Sequence, residues 1–330
     1  MSPNTPGIAR ALFGLVRDPV KLTIDLFKVM IPIIVVVRVL QQLGAIRYIA
    51  LPLGPVMEVV GLPGEMGLVW ATAMLNNLYG GIAVLLSLSE TTPLTTAQMT
   101  VLCTMMLVAH TLPIELKIAQ LSGPRLLFQA VCRLGSAMLL GWMLFAIYRH
   151  GQFLQVPAAI LIAGRGGSPP NEQTWAEWAL NQTQNLISIF IIILCIFLLM
   201  RLLEKIRVIE LMNRMLRPLL RLLGIGHKAS AVTVIGLTLG VTYGGGLIIR
   251  EARSGKLKKE DVFYSLTLMG LSHALIEDTL LMIMVGGHVS GVLWARIVFS
   301  LAVVGLIVRI SQRLPRAFSD RFLWGEPRGE

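Results

Sequence analysis

The chain contains itself twice, and this duplication limits its fold more than any other property. Leu-x-Pro at residues 53–55 recurs at 216–218, Gly61-Leu62 at Gly224-Ile225, and Tyr79-Gly80-Gly81 at Tyr243-Gly244-Gly245. Farther along, "LVAHTLPIELKI" around His110 answers "GLSHALIEDTLL" around His273. The offset is 163 residues before the Tyr-Gly-Gly triplet, 164 at it, and 163 again at the histidines. So small a drift over so many matches marks an internal repeat of the kind transporter folds carry. The halves are residues 1–150 and 184–330, joined by a loop-like linker over 151–183.

Each half is too apolar for water. Of 330 residues, 55% are hydrophobic and only 14% charged, and the mean hydropathy is +0.73. Apolar runs of about 20 residues, the length that spans a bilayer as a helix, repeat along the chain. The period-two alternation of a membrane β-barrel is absent, so an all-α polytopic membrane protein is predicted. No small-residue cleavage site follows the first apolar run, and no removable signal peptide is expected. Cys103, Cys132 and Cys195 lie inside apolar runs at no metal-ligand spacing and read as small buried hydrophobes. The net charge of +11 is concentrated at the ends of hydrophobic segments. That distribution suits loops facing anionic lipid and argues against a nucleic-acid partner.

Both halves follow one plan. A leading apolar helix (27–43 and 184–203) precedes an amphipathic piece (47–60 and 204–222). A glycine-interrupted apolar segment follows (66–88 and 230–250), and then two more helices (97–120 with 125–148, and 262–287 with 290–310). Arg207, Glu210, Arg214, Arg217 and Arg221 fall at steps of three and four opposite Leu and Ile, which predicts a helix lying in the membrane interface. Trp175 and Trp178 read as interface anchors at the end of the linker.

Length does not decide whether the glycine-interrupted segments cross the bilayer; charge does. If both cross, 16 Lys and Arg lie inside and 10 outside. If both turn back as re-entrant hairpins, 23 lie inside and 3 outside, with Arg38, Arg133 and Arg296 within helices either way. The positive-inside bias selects the hairpins. Each half then has about three transmembrane helices, one re-entrant helical hairpin and one interfacial helix. An odd number of crossings inverts the second half relative to the first, the inverted-topology repeat typical of secondary transporters. Both termini are expected in the cytoplasm of a bacterial inner membrane. Loops near Glu90 and Gly166 should face outward, and those near Arg214, Lys256 and Arg316 inward. The hairpin tips, Asn76–Gly81 and Gly240–Gly246, should approach each other at mid-depth.

A chain turning inside a membrane needs partners for its freed backbone groups. Asn76, Asn77, Tyr79, Thr242 and Tyr243 bring such side chains to the tips. Packing through small residues would also account for the glycines. Beside the hairpins lie ionisable residues at depth: His110 and Glu115 in the first half, His273, Glu277 and Asp278 in the second. A charge there costs about 2.5–3.5 kcal/mol even on insertion scales, so such residues normally face a cavity or pathway. A buried His–Glu pair that fixes helix packing is the alternative.

Pro113 is expected to break the helix between His110 and Glu115. His273 and Glu277, four apart, are expected to share a helix face, with His273 donating to Glu277 or sharing its proton. Adjacent ionised carboxylates repel, so Glu277 and Asp278 should carry a proton or hold a cation, and they are assigned to ion or proton coupling. Asn76, Asn77, Tyr79, His110, Glu115, Thr242, Tyr243 and His273 are assigned to the solute. No His-Glu-x-x-His or other clear ligand set is present in the sequence, and no metal, cofactor or catalytic residue is expected.

The segments "LNNLYGGIAV", "TYGGGLIIREA" and "LSHALIEDTLL", with their spacing, resemble the nucleoside-recognition Gate family. That family includes the spore maturation proteins A and B, the paired gates of the ferrous-iron transporter B and the core repeats of concentrative nucleoside transporters. The resemblance covers roughly residues 25–150 and 184–312. It implies a substrate-carrying domain that moves against a scaffold, with the polar tips and the His/Glu helices facing each other. The function it implies is elevator-like transport of a small polar or amphiphilic solute such as a nucleoside, with proton or ion coupling and homo-oligomeric assembly. A non-transporting component of an envelope or spore-maturation process, or a metal permease subunit, are the other readings. The chain differs from the iron transporter in having no cysteine at either tip and no GTPase domain.

Overall fold

A computed structural model of the chain describes residues 8–89, 91–161 and 174–327. The loop positions Glu90 and Gly166, and the side chains of Thr242 and Tyr243, lie outside the described residues. The first half runs α1 (Ile8–Gln42), α2 (Ala45–Ala50), α3 (Gly54–Val59), α4 (Met66–Leu75), α5 (Leu78–Leu88), α6 (Thr96–Val108), α7 (Leu112–Ser122) and α8 (Leu126–His150). The second runs α9 (Trp175–Lys205), α10 (Val208–Leu222), α11 (His227–Leu239), α12 (Val241–Arg253), α13 (Lys259–Ser272) and α14 (Glu277–Met284). A π-helical turn (Ser290–Ala295), α15 (Arg296–Ser311) and α16 (Arg316–Phe322) complete it. Among the described residues, only two isolated bridges, Thr95 with Pro157 and Pro124 with Trp324, pair extended backbone.

Among the described residues, five stretches are long and apolar enough to cross a membrane: Thr96–Ser122, Leu126–His150, Trp175–Leu203, Lys259–Met284 and Ser290–Ser311. Burial sorts them into layers. The windows in Thr96–Ser122 and Lys259–Met284 are each 72% buried against protein, so α6–α7 and α13–α14 form the centre. The window in Trp175–Leu203 is 17% buried and faces outward. Helix α1, 35 residues long, packs along α9 and α5 on that outer side.

Residues 66–88 fold back on themselves. Helices α4 and α5 have 10 and 11 residues, about 15 Å each, half the thickness of a hydrocarbon core. A Cβ on Gly81 would lie 2.8 Å from Ala73 Cβ and 3.2 Å from the Val69 carbonyl oxygen. One straight helix would hold these residues about 12 and 18 Å apart along its axis. The turn falls at Asn76 (φ −113, ψ −92) and extended Asn77, whose Oδ1 accepts the Gly80 N–H at 2.8 Å and caps α5. The contact at Gly81 predicts that Gly81→Val overpacks the hairpin and costs about 1–3 kcal/mol. Gly246→Ala, where an added Cβ meets nothing within 4 Å, should be nearly neutral, and thermal unfolding in detergent compares them.

Bends recur at matched positions. Left-handed backbone appears at Gly44 (φ 64) and Arg207 (φ 60), Gly61 (φ 71) and Gly224 (φ 72), Thr111 (φ 48) and Ala274 (φ 46), and Gly123 (φ 121) and Gly286 (φ 106). Every pair is 163 residues apart. The Thr111 N–H donates to the Ala73 carbonyl at 2.9 Å, and the Leu275 N–H donates to the Leu237 carbonyl at 2.9 Å. In both halves this bond ties the interrupted helix to the first arm of the adjacent helix pair.

Two expectations are corrected here. Pro113 is not the cause of the first helix break. It sits at the start of α7, where a missing N–H costs nothing, and the break precedes it at Ala109–Thr111. The second break, between α13 and α14, contains no proline at all. Nor do His273 and Glu277 share a helix face: His273 is the extended residue that ends α13, and Glu277 begins α14. On α10, Arg214, Arg217 and Arg221 are exposed, and so are Leu211, Met215 and Leu222. A helix with both faces uncovered in this way suits the boundary between lipid and water.

Candidate functional site

The two interrupted central helices end at the middle of the protein, and each end is capped by an arginine from the helix that follows. A helix C-terminus leaves carbonyls without intrahelical donors and carries partial negative charge. From α8, Arg133 donates through Nε to the Val108 carbonyl at 3.0 Å and through Nη2 to the His110 carbonyl at 3.1 Å. From α15, Arg296 donates through Nε to the Leu271 carbonyl at 3.1 Å and through Nη2 to the His273 carbonyl at 2.6 Å. Arg133 and Arg296 are 163 residues apart, as are their acceptors.

Held at these ends, the two histidines meet. His110 Nδ1 lies 2.9 Å from the Met106 carbonyl oxygen, and His273 Nδ1 lies 2.8 Å from the Met269 carbonyl oxygen. Their Nε2 atoms are 3.1 Å apart, with the rings tilted by 49°. Glu115, one turn into α7, reaches the same point: its Oε1 is 3.3 Å from His273 Nε2 and 3.7 Å from His110 Nε2. Its Oε2 accepts from Arg133 Nη1 in a buried ion pair. Relative exposure is 5% for His110, 3% for His273 and 9% for Glu115, so this cluster is shut off from bulk solvent.

The second half carries the same parts in a different state. Asp278 stands 163 residues after Glu115, as Arg296 does after Arg133. Asp278 is half-buried and within electrostatic reach of Arg296 and Glu277, yet it forms no ion pair among the described residues. Arg296 is wholly buried, and its Nη1 has no hydrogen-bond partner.

The structure thus brings together His110, His273 and Glu115 from the sequence-based set. Glu277 and Asp278 stand beside this group, and the carboxylate that meets His273 is Glu115 rather than Glu277. Asn77 spends its side-chain oxygen on capping α5, and the Asn76 side chain lies against Gly80. Tyr79 is half-buried within electrostatic reach of Glu277 and Asp278. Thr242 and Tyr243 occupy the first turn of α12. Sequence reasoning passed over Arg133 and Arg296 as residues that merely fall within helices. Their 163-residue spacing, the same as that of the histidines, was the signal that pairs them.

Apolar spans arranged around two interrupted helices, with ionisable groups sealed at their junction, define a polytopic helical membrane protein. Residues 186–289, which hold His273, Glu277 and Asp278, match the family model of the Gate domain, described as nucleoside recognition. The chain is also 27% identical over 265 residues to the membrane protein YvoD of Bacillus subtilis (strain 168), covering 80% of this chain and 83% of that one. No solved structure matches it.

Proposed function

We propose that this is a secondary transporter of the bacterial inner membrane, built as two inverted-topology repeats. In this reading α4–α5 and α11–α12 are re-entrant hairpins that enter from opposite faces. The observation that carries it is the meeting of His110 and His273, one from the interrupted helix of each half, at 3.1 Å in the sealed centre. Interrupted helices that end on polar groups at mid-depth are how transporters build solute and ion sites. The matched bends at 163-residue spacing support the repeat. The solute is a small polar or amphiphilic molecule of the nucleoside class, which accords with the description of the matched family. Glu277 and Asp278 couple its movement to protons or sodium, and both termini lie in the cytoplasm.

The test is uptake of labelled nucleosides into proteoliposomes, with and without imposed proton and sodium gradients. Gradient-dependent uptake above that of empty vesicles is expected. No uptake of any nucleoside under any gradient would favour a non-transporting membrane component. Topology is checked separately by single-cysteine labelling in intact cells, in which a cysteine at Lys256 should stay unlabelled from outside. Labelling there would overturn the inverted repeat.

A further inference from the structure

We propose that His110, Glu115 and His273 form a binding site for a divalent transition-metal ion of the zinc and cobalt class. The first argument is the tautomers. Each Nδ1 faces a backbone carbonyl oxygen, at 2.9 Å for His110 and 2.8 Å for His273. A carbonyl can only accept, so both Nδ1 atoms carry hydrogen, and in a neutral imidazole Nε2 is then a bare lone pair. These two lone pairs face each other at 3.1 Å, and the Glu115 Oε1 is a third acceptor at 3.3 and 3.7 Å. Three acceptors converge with no donor among them. In a sealed, weakly polar centre that arrangement repels itself unless a cation stands between them.

The second argument is shape. Metal–ligand bonds of about 2.0–2.1 Å in a tetrahedral zinc site set ligand atoms about 3.3 Å apart. The three edges here, 3.1, 3.3 and 3.7 Å, bracket that value. Two imidazoles and one carboxylate are a common ligand set for this class of ion, and they leave a fourth position for water or a solute atom. The supporting contacts match too. Ligating histidines commonly donate their other N–H to a carbonyl, as both do here, and ligating carboxylates are themselves hydrogen-bonded, as Glu115 is to Arg133. A proton shared by the two histidines beside the Glu115 carboxylate is the competing arrangement, and metal titration separates the two.

The ligands come from both halves, His110 and Glu115 from the first and His273 from the second. The ion would therefore clamp the two interrupted helices together. The site is judged by metal binding alone and does not depend on the transport reading.

The experiment uses full-length, tag-free protein in detergent, stripped with a chelator and titrated with Co2+. Expected are one Co2+ per chain, visible d–d bands of a four- or five-coordinate site, and displacement by Zn2+. His110→Gln and His273→Gln should each weaken binding by about ten-fold or more, while His288→Gln should leave it unchanged. Should the first two variants fail to fold, Cu2+ bound to the unaltered protein should show coupling to imidazole nitrogen by pulsed electron paramagnetic resonance. Failure to bind Co2+ would overturn the site, as would binding that survives both histidine substitutions. Bound Cu2+ without imidazole coupling would do the same.

Discussion

Arg133→Met should lower the stability of the folded protein by about 3–5 kcal/mol, the usual cost of removing one partner of a buried ion pair. The substitution leaves Glu115, 9% exposed, as a buried carboxylate without its counter-charge. It also strips the donors from the Val108 and His110 carbonyls at the end of α6. Arg296→Met removes the same kind of cap from α13, yet it should cost less, roughly 1–3 kcal/mol. Among the described residues, no carboxylate is paired with Arg296, and its Nη1 is already without a partner. Adding Glu115→Gln to Arg133→Met should recover part of the loss, because the orphaned charge is then gone. Denaturant unfolding in detergent of the unaltered protein, the two arginine variants, Glu115→Gln and the double variant measures this coupling. Equal costs for the two arginine substitutions, with no recovery from Glu115→Gln, would mean that the caps stabilise the centre and the ion pair does not.

The outline of this centre was legible in the sequence because it was written twice. His110 and His273 announced themselves by the same offset as the Tyr-Gly-Gly triplets, and apolar runs of bilayer length marked the helices that carry them. The turn at Asn76–Asn77 was legible too, since glycines and asparagines in an apolar run relieve strain and supply hydrogen bonds where a helix must stop.

The partners of the histidines were not legible. Periodicity reports which residues share a face only while the helix continues, and here it does not. The φ of 46° at Ala274 ends α13 at His273 and cuts the four-residue link to Glu277. His273 then faces across the protein to Glu115, 158 positions earlier, a distance no local pattern can bridge. Arg133 and Arg296 were missed for a related reason. An arginine inside an apolar helix reads as a cost until a helix end with free carbonyls is seen beside it.

On the proposed transport reading, Asp278→Asn should leave the protein folded and stop ion-dependent turnover, and the reason is the difference between the two halves. The same four parts occur in each: a histidine ending one helix, an arginine capping it, a carboxylate starting the next helix and a left-handed residue between. In the first half the carboxylate is engaged, Glu115 on Arg133 and on the histidines. In the second, Asp278 stands apart from Arg296, whose Nη1 is unpartnered. On the proposed inverted-repeat reading, the second conformation is the one in which each half adopts the arrangement of the other, with Asp278 paired to Arg296 and Glu115 released. Because Asp278 makes no ion pair among the described residues in the present state, Asp278→Asn removes only a longer-range attraction to Arg296, and its stability should stay within about 1 kcal/mol of the unaltered protein. The complementary state loses its ion pair, and the protein should be held in the arrangement described here. Glu277→Gln should weaken ion dependence through the neighbouring carboxylate while leaving the protein yield nearly unchanged. Proteoliposome uptake under a proton or sodium gradient, measured beside thermal unfolding of the same preparations, separates turnover from folding. If Asp278→Asn and Glu277→Gln, expressed at normal levels, keep full ion-dependent uptake, the carboxylates only pack the centre and the difference between the halves has no part in the cycle.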